Sequence, residues 1–351
     1  MNTYLAPQIS VGHGLLAKLP ELLKEHAPAY RYAILTDSTV EKLYGEKLLE
    51  TLKEAGLNVE LFSFPAGEAS KSELTKQNLD HSLLAKNYGR DTVILALGGG
   101  VVGDMAGFVA ATYLRGIPFV QIPTTVLSML DSSIGGKVGI NTPFGKNTIG
   151  AFWQPTLIVA DIDTLKTLPE SEVRNGWFEA LKIFLTMDIA SYELAKNKVN
   201  LSLLENAMKL KQQVVAVDER EFNLRSILNF GHSIGHALEK LSNYSIHHGF
   251  AVALGMLVEA RVSVERGYLS EEDWEDLAEV LKSFGIKTRC LAAYSFEAVL
   301  GALQNDKKNR EGKIKLVLLK SPGAVVTDRM GYTHTVSKEA LQKAWSFVST
   351  Y

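Results

Sequence analysis

The chain has 351 residues, and its 37 Lys and Arg nearly balance its 39 Asp and Glu, a formal net charge of −2. That length points to two domains with ample core, and 46% hydrophobic with 22% charged residues excludes a disordered chain. The charge balance argues against nucleic-acid binding as the main role, and the single cysteine, Cys290, excludes an internal disulfide or a cysteine-held metal.

No basic segment followed by an apolar run opens the chain, so no export signal is expected and the cytoplasm is the expected location. The stretch from Thr92 to Tyr113 is apolar but broken by glycines and Asp104, which does not suit a membrane span. In chain order, Tyr32–Asp37 reads as a strand, Lys42–Ala55 as a helix closed by Gly56, Val59–Phe64 as a strand and Ser72–Asn87 as a helix. Thr92–Leu97, Phe119–Ile122 and Leu157–Ala160 are apolar runs of the doubly buried strand type. Alternating strands and helices predict a mostly parallel sheet covered on both faces. Beyond about Thr167 the pattern is helical: Pro169–Thr186, Leu201–Val217, Ser226–Leu241, Gly249–Glu265, Ser270–Phe284 and Ser295–Lys308, with strand alternation only at Lys313–Leu319. The expectation is an α/β domain over residues 1–167 and a mainly α-helical domain over 168–351.

Gly98-Gly99-Gly100-Val101-Val102-Gly103-Asp104 follows a strand and opens a helix, so Gly98, Gly100 and Gly103 satisfy G-x-G-x-x-G. Such glycines let main-chain N–H groups approach a pyrophosphate at a helix N-terminus. An acidic residue about 20 positions later is missing, so a simple dinucleotide fingerprint fits poorly, and a tight turn needing small residues explains the run equally well. Asp37, ending the earliest strand, is the alternative partner for a ribose hydroxyl.

His232 and His236 stand four apart and share one helix face, and His248 follows twelve residues later beside His247. Glu179 and Lys182 share a face of an earlier helix. Three of these groups suit a divalent metal with a coordination position left open; surface histidines on unrelated helices are the competing explanation. Lys137, Lys146, Lys211, Arg225 and Lys307 are scattered cations which, beside a metal and a dinucleotide, suggest a small substrate with phosphate and carboxylate groups.

GGGVVGD, YLRG at 113–116, PTT at 123–125, DSSIGGKVGIN at 131–141, GKN at 145–147, DTLKTLP at 163–169, NFGHSIGHALE at 229–239 and His248-Gly249 occur in this order. Together they resemble the 3-dehydroquinate synthase family of sugar-phosphate cyclases, over roughly residues 30–320. The resemblance implies an NAD-binding α/β domain followed by a helical domain, in a homodimer. It implies a divalent metal, Zn2+ or Co2+, on Glu179, His232 and His248. It implies conversion of 3-deoxy-D-arabino-heptulosonate 7-phosphate to 3-dehydroquinate and phosphate in the shikimate pathway to aromatic amino acids. The steps are oxidation by bound NAD+, phosphate elimination, reduction and intramolecular aldol closure. Carried over by position, Asp37, Glu68, Lys71, Gly99, Gly100, Asp104, Thr124, Thr125, Lys146 and Thr167 are implied at the NAD site. Asp131, Lys137, Lys182 and His236 are implied as catalytic residues. Asn147 and Lys307, with Lys308 as its alternative, are implied at the phosphate, and Lys211, Arg225 and Asn229 at the carboxylate. Arg115 is implied to reach the substrate from a neighbouring subunit. The sequence departs from the family pattern at Phe250, where Glu is usual, at Trp177 and Phe178, where small residues are usual, and at Val138, where Thr is usual. The readings that remain beside this one are a cyclase for a heptulose or hexose phosphate without a carboxylate, and a non-catalytic relative that binds NAD or metal.

Overall fold

The computed structural model describes residues 6–304, 313–329 and 331–351. The chain divides into two compact units, Met1–Val173 and Arg174–Tyr351.

In the first unit, β1 (Gln8–Gly12) and α1 (Leu19–His26) lead into β2 (Arg31–Asp37). The short α2 (Ser38–Val40) and α3 (Glu46–Glu54) follow, then β3 (Val59–Phe64), α4 (Glu73–Ala85), β4 (Thr92–Gly98), α5 (Gly100–Thr112) and β5 (Phe119–Pro123). An antiparallel ribbon of β6 (Lys137–Thr142) and β7 (Gly145–Phe152) precedes β8 (Leu157–Asp161). Six strands form one sheet in the order β1-β8-β5-β4-β2-β3, and every pairing in it is parallel. The period-2 geometry of strands sorts their apolar residues to two faces. Ala33, Leu35, Ile94 and Ala96 pack with Val102, Met105 and Val109 of α5 on one face. Tyr32, Ile34, Leu95 and Leu97 pack with Leu19, Leu23, Leu48 and Leu52 of α1 and α3 on the other. All seven residues of β4 are buried, which is why its sequence reads as a continuous apolar run. β3 lies on one side of β2 while β4 and β5 lie on the other. The winding therefore reverses between β2 and β4, where open α/β sheets bind ligands beyond the strand carboxyl ends.

The second unit starts within α6 (Glu170–Met187) and continues through α7 (Ile189–Ala195), α8 (Leu204–Val217), α9 (His232–Leu241), α10 (His248–Glu265), α11 (Glu271–Ser283), α12 (Phe296–Gln304) and α13 (Lys338–Thr350). Two small antiparallel pairs accompany the helices: β9 (Ile314–Leu316) with β12 (His334–Val336), and β10 (Leu319–Ser321) with β11 (Ala324–Val325). Among the described residues, no helix is long and apolar enough to cross a membrane.

Several expected boundaries differ. The helix expected over Ser226–Leu241 is a 3-10 turn at Leu224–Asn229, a break, and then α9. The break is at Gly231, with φ 78°, where a Cβ would stand 2.6 Å from the Val252 carbonyl, so the chain turns there to pass against α10. The helix expected over Lys42–Ala55 opens with a π-helical turn at Glu41–Gly45 before α3. The strand expected over Lys313–Leu319 is interrupted between β9 and β10. The helix expected to reach Lys308 is described to Gln304, and its remainder lies outside the described residues.

Candidate active site

In the first unit, Asp37 ends β2 and Gly98 ends β4, at the two sides of the reversal. Asp37 Oδ1 accepts the N–H groups of Thr39 and Val40, at 2.8 and 3.0 Å, and so caps the turn that follows β2. Gly99 precedes α5 as its N-cap and offers no side-chain cap to the first helical N–H groups. A Cβ at Gly98 would meet the branched Val102 side chain at 2.5 Å, so packing requires a glycine there, and one at Gly103 would press on the end of the Gln121 side chain at 2.8 Å. Added Cβ atoms at Gly99 and Gly100 would stand 3.4 Å from Thr125 and 3.3 Å from Ser132, so here the main chain itself forms the surface. The Thr124 N–H donates to Gly98 O, and the Thr125 hydroxyl is bound to Ser128, which ties both threonines to the glycine turn.

Beside this turn a polar network joins four expected site residues. The Lys71 ammonium donates to Asp104 Oδ2 and to Asn147 Oδ1, each at 2.5 Å. The Asn147 N–H donates to Asn141 Oδ1 at 2.9 Å, and Asn141 Nδ2 donates to Glu68 Oε1 at 2.7 Å. Burial raises the Asp104 carboxyl above its usual range, against the opposing pull of Lys71. A cleft of about 360 Å³ is lined by Asp104, Lys137, Val138, Asn147 and Phe152, among others. Lys146 is half-buried at the start of β7, and Asp131 is half-buried in the turn Ser128–Ser132. Arg115 is exposed at φ 71°, after Leu114 at φ 49°. Thr167 is exposed, its hydroxyl against that of Tyr44.

In the second unit, α6 carries Glu179 and Lys182, 0% and 1% exposed. Their i,i+3 spacing lets the Lys182 ammonium donate to Glu179 Oε2. Glu179 Oε1 stands 3.6 Å from Nε2 of both His232 and His248. One donor atom from each of these three residues lies within 4.8 Å of the others, and His236, Glu239 and His248 form a second such group. The opposite ring nitrogens have partners of their own: His232 Nδ1 lies 3.2 Å from Phe230 O, and His248 Nδ1 lies 3.2 Å from Glu239 Oε2. Burial, followed by the Lys182 charge, pushes His232 well below the usual imidazole range. Burial opposes charge on His248 too, but there Glu179 and Glu239 prevail and hold it up, to about 10. The cluster thus favours a positive charge at that place, and its one oxygen and two imidazole donors are the set that divalent Zn or Co accepts.

Lys211 and Arg225 are each 4% exposed. The guanidinium donates to Glu219 O, and the Arg225 N–H donates to Asp218 Oδ2 at 3.0 Å. Asn229 is half-buried and its amide donates to Glu221. His236 is exposed one turn along α9, its ring centroid 5.4 Å from that of His232. Phe250 stacks edge-to-face on Phe178, centroids 5.0 Å apart, while Trp177 sends its indole N–H to Ala195 O. Lys307 and Lys308 lie outside the described residues.

Sequence reasoning assigned no role to Asn141, Asn175 or Glu239. Asn175 Oδ1 accepts the Gly249 N–H at 2.7 Å and so pins the start of α10 to α6. A lone amide or carboxylate in a polar run carries no spacing signal that separates it from a solvated residue.

A solved 2-epi-5-epi-valiolone synthase from Streptomyces hygroscopicus, with NAD+ and Zn2+ bound, is similar to this chain with a TM-score of 0.86 and 26% identity, over 100% of this chain and 98% of the other. A glycerol dehydrogenase from Schizosaccharomyces pombe shares the fold alone, with a TM-score of 0.63 and 18% identity over 99% and 90%. The class is that of the dehydroquinate synthase-like enzymes, a parallel-sheet α/β unit followed by a helical one. Residues 61–175 match the family 3-dehydroquinate synthase N-terminal, and residues 176–309 match 3-dehydroquinate synthase C-terminal. The 3-dehydroquinate synthase of Thermodesulfovibrio yellowstonii is 39% identical over 347 residues, covering 96% of this chain and 95% of the relative. The chain belongs to the 3-dehydroquinate synthase family, whose enzymes are phosphate-eliminating lyases.

Proposed function

We propose that the chain converts 3-deoxy-D-arabino-heptulosonate 7-phosphate to 3-dehydroquinate and phosphate, with Glu179, His232 and His248 holding a divalent cation. The donor set carries this reading: three ligand atoms of the right chemistry converge, and both imidazoles have an acceptor behind Nδ1 that leaves Nε2 as the ligand. When bound, NAD+ supplies reversible redox chemistry and the cation, Zn2+ or Co2+, supplies Lewis acidity at a substrate hydroxyl.

The chain's own residues do the rest. Asp37, Gly99, Gly100, Thr124 and Thr125 form the dinucleotide cradle at the sheet reversal, with Thr167, Lys146 and the Glu68–Lys71–Asp104 network around it. Lys182 balances the Glu179 carboxylate and holds it in place. His236, on the same face of α9 as His232 and open to solvent, moves protons at the reacting oxygens, with Asp131 as hydroxyl acceptor. Lys137, Asn147 and Lys307 hold the phosphate. Lys211, Arg225 and Asn229 hold the carboxylate, which favours a sugar acid over a carboxylate-free sugar phosphate. Arg115, exposed at a left-handed turn, contributes to the second subunit of a homodimer. The cytoplasm is the location that suits this biosynthetic role.

Phosphate release is the test, with the heptulosonate phosphate set against carboxylate-free heptulose and hexose phosphates. Release from the acid alone, lost on chelation and restored by Zn2+ or Co2+, is expected. Faster release from a carboxylate-free substrate overturns the assignment.

A further inference from the structure

We propose that Glu239 is a positioning residue whose carboxylate holds the Nδ1–H of His248 and thereby aims Nε2 at Glu179 and His232. The inference rests on reading Glu179, His232 and His248 as a divalent-cation site.

A neutral imidazole carries one proton, and whichever ring nitrogen bears it cannot be a ligand. His248 is the first residue of α10, while Glu239 lies near the end of α9, nine residues earlier. Glu239 is 7% exposed and its Oε2 lies 3.2 Å from His248 Nδ1. On the other side of the ring, Nε2 lies 3.6 Å from Glu179 Oε1. A carboxylate at Nδ1 keeps the proton there and leaves the Nε2 lone pair to the cation; it also raises the basicity of that lone pair. His232 meets the same requirement with a main-chain acceptor, Phe230 O at 3.2 Å. Of the two supports, only the one behind His248 is a side chain.

The turn between the helices fixes this arrangement. Asn243 and Tyr244 both have positive φ, 50° and 61°, a conformation that non-glycine residues seldom adopt. The Tyr244 N–H donates to Glu239 O at 2.7 Å, and the Ser242 hydroxyl donates to the same carbonyl at 3.0 Å. The main chain of Glu239 is therefore bound to the turn that returns the chain to His248. Glu239 also belongs to the second donor group, with His236 and His248. Direct ligation by Glu239 is thus the rival that the test must separate from positioning.

The experiment measures Zn2+ affinity of demetallated full-length protein by competition with a chromogenic chelator, for wild type, Glu239→Gln, Glu239→Ala and His232→Ala. Glutamine keeps an oxygen acceptor for Nδ1–H but is a poor ligand. Glu239→Ala should weaken Zn2+ binding by about 10–100-fold, while Glu239→Gln retains most of the affinity. The visible spectrum of the Co2+-loaded protein should change in Glu239→Ala and track wild type in Glu239→Gln. Wild-type affinity in Glu239→Ala overturns the proposal. So does Glu239→Gln binding as weakly as Glu239→Ala, which makes Glu239 a ligand. His232→Ala tells the two levels apart. If it binds Zn2+ like wild type, the cation site itself is misassigned. If it loses Zn2+ while Glu239→Ala does not, only the role of Glu239 falls. Glu239→Gln is nearly isosteric, so it reports even where the alanine variant does not fold.

Discussion

Arg225 is almost fully buried, and the Asp218 carboxylate helps to fix the main chain that carries it. Asp218 accepts the N–H groups of Phe222, Asn223 and Arg225, which folds residues 218–225 into a fixed loop. Burial opposes the charge on Asp218, but these three amides prevail and hold its carboxyl below the usual range. A buried charge-assisted bond to a substrate carboxylate is worth roughly 1.5–3 kcal/mol. Arg225→Ala should therefore lower kcat/KM at least about tenfold, read from steady-state kinetics. NAD+ affinity, read by titration, should stay unchanged; its collapse with substrate affinity intact would place Arg225 at the dinucleotide instead. Phe250 makes a second residue-level case. Its edge-to-face pair with Phe178 is worth about 0.5–1.5 kcal/mol beyond burial. Phe250→Glu removes the pair and places a carboxylate against the Phe178 ring, which cannot hydrogen-bond it. Tm should fall and kcat/KM should not rise when both are measured on one preparation; a gain in activity at unchanged Tm would contradict a stabilising role for the Phe178–Phe250 pair.

At the scale of elements, α6, α9 and α10 are brought together by glycines. A Cβ at Gly249 would stand 1.8 Å from Asn175 O, and one at Gly255 would stand 1.9 Å from Gly231 O. The first contact seats the His248 end of α10 on α6, and the second seats α10 on the residue just before His232. Gly249→Ala should cost roughly 1–3 kcal/mol in urea unfolding through overpacking, and Zn2+ affinity should drop with it. Gly301, inside α12, has open space at its Cβ position, so Gly301→Ala should instead add about 0.5–1 kcal/mol from helix propensity. A loss at Gly301 as large as that at Gly249 would mean that spacing between helices is not what the glycines provide. The contrast also shows what the sequence makes legible. Thr92–Leu97 and Tyr32–Asp37 announce buried parallel strands because both faces are covered and no polar alternation is needed. His232 and His236 announce a shared face because i,i+4 spacing survives wherever the helix begins. The break at Gly231 is not announced, since an isolated glycine in an apolar run reads equally as helix interior, and only the contact with Val252 forces the left-handed turn. The β6–β7 ribbon escapes for a related reason: Gly139 and Gly150 lie where the two main chains nearly touch, which breaks the alternation that marks a strand. Glu179 is 53 positions before His232, so its convergence on the histidines is tertiary; the residue types made it a candidate ligand, and only the family resemblance picked it out with His232 and His248.

For the molecule as a whole, the fold alone does not decide between a dehydrogenase and a cyclase, because a glycerol dehydrogenase shares it. The two outcomes differ in whether an oxidised intermediate is retained until it is reduced again. A dehydrogenase lets it go and produces one NADH per substrate consumed; a cyclase keeps it and produces phosphate with no net NADH. Retention needs a grip remote from the reacting carbon, and in the proposed reading the buried cations Lys211 and Arg225 are that grip for an acid. With NAD+ supplied well below substrate, phosphate release should continue to the end of the substrate, and NADH absorbance should stay flat after the first turnover. Arg225→Ala sharpens the argument, because a weaker hold lets the oxidised intermediate escape before reduction. In that variant phosphate release should slow and NADH should accumulate as a measurable fraction of the substrate consumed. Stoichiometric NADH without phosphate in the wild type would make the chain a dehydrogenase on this fold. A flat NADH trace in Arg225→Ala, with its phosphate release slowed, would show that the carboxylate grip governs binding but not retention.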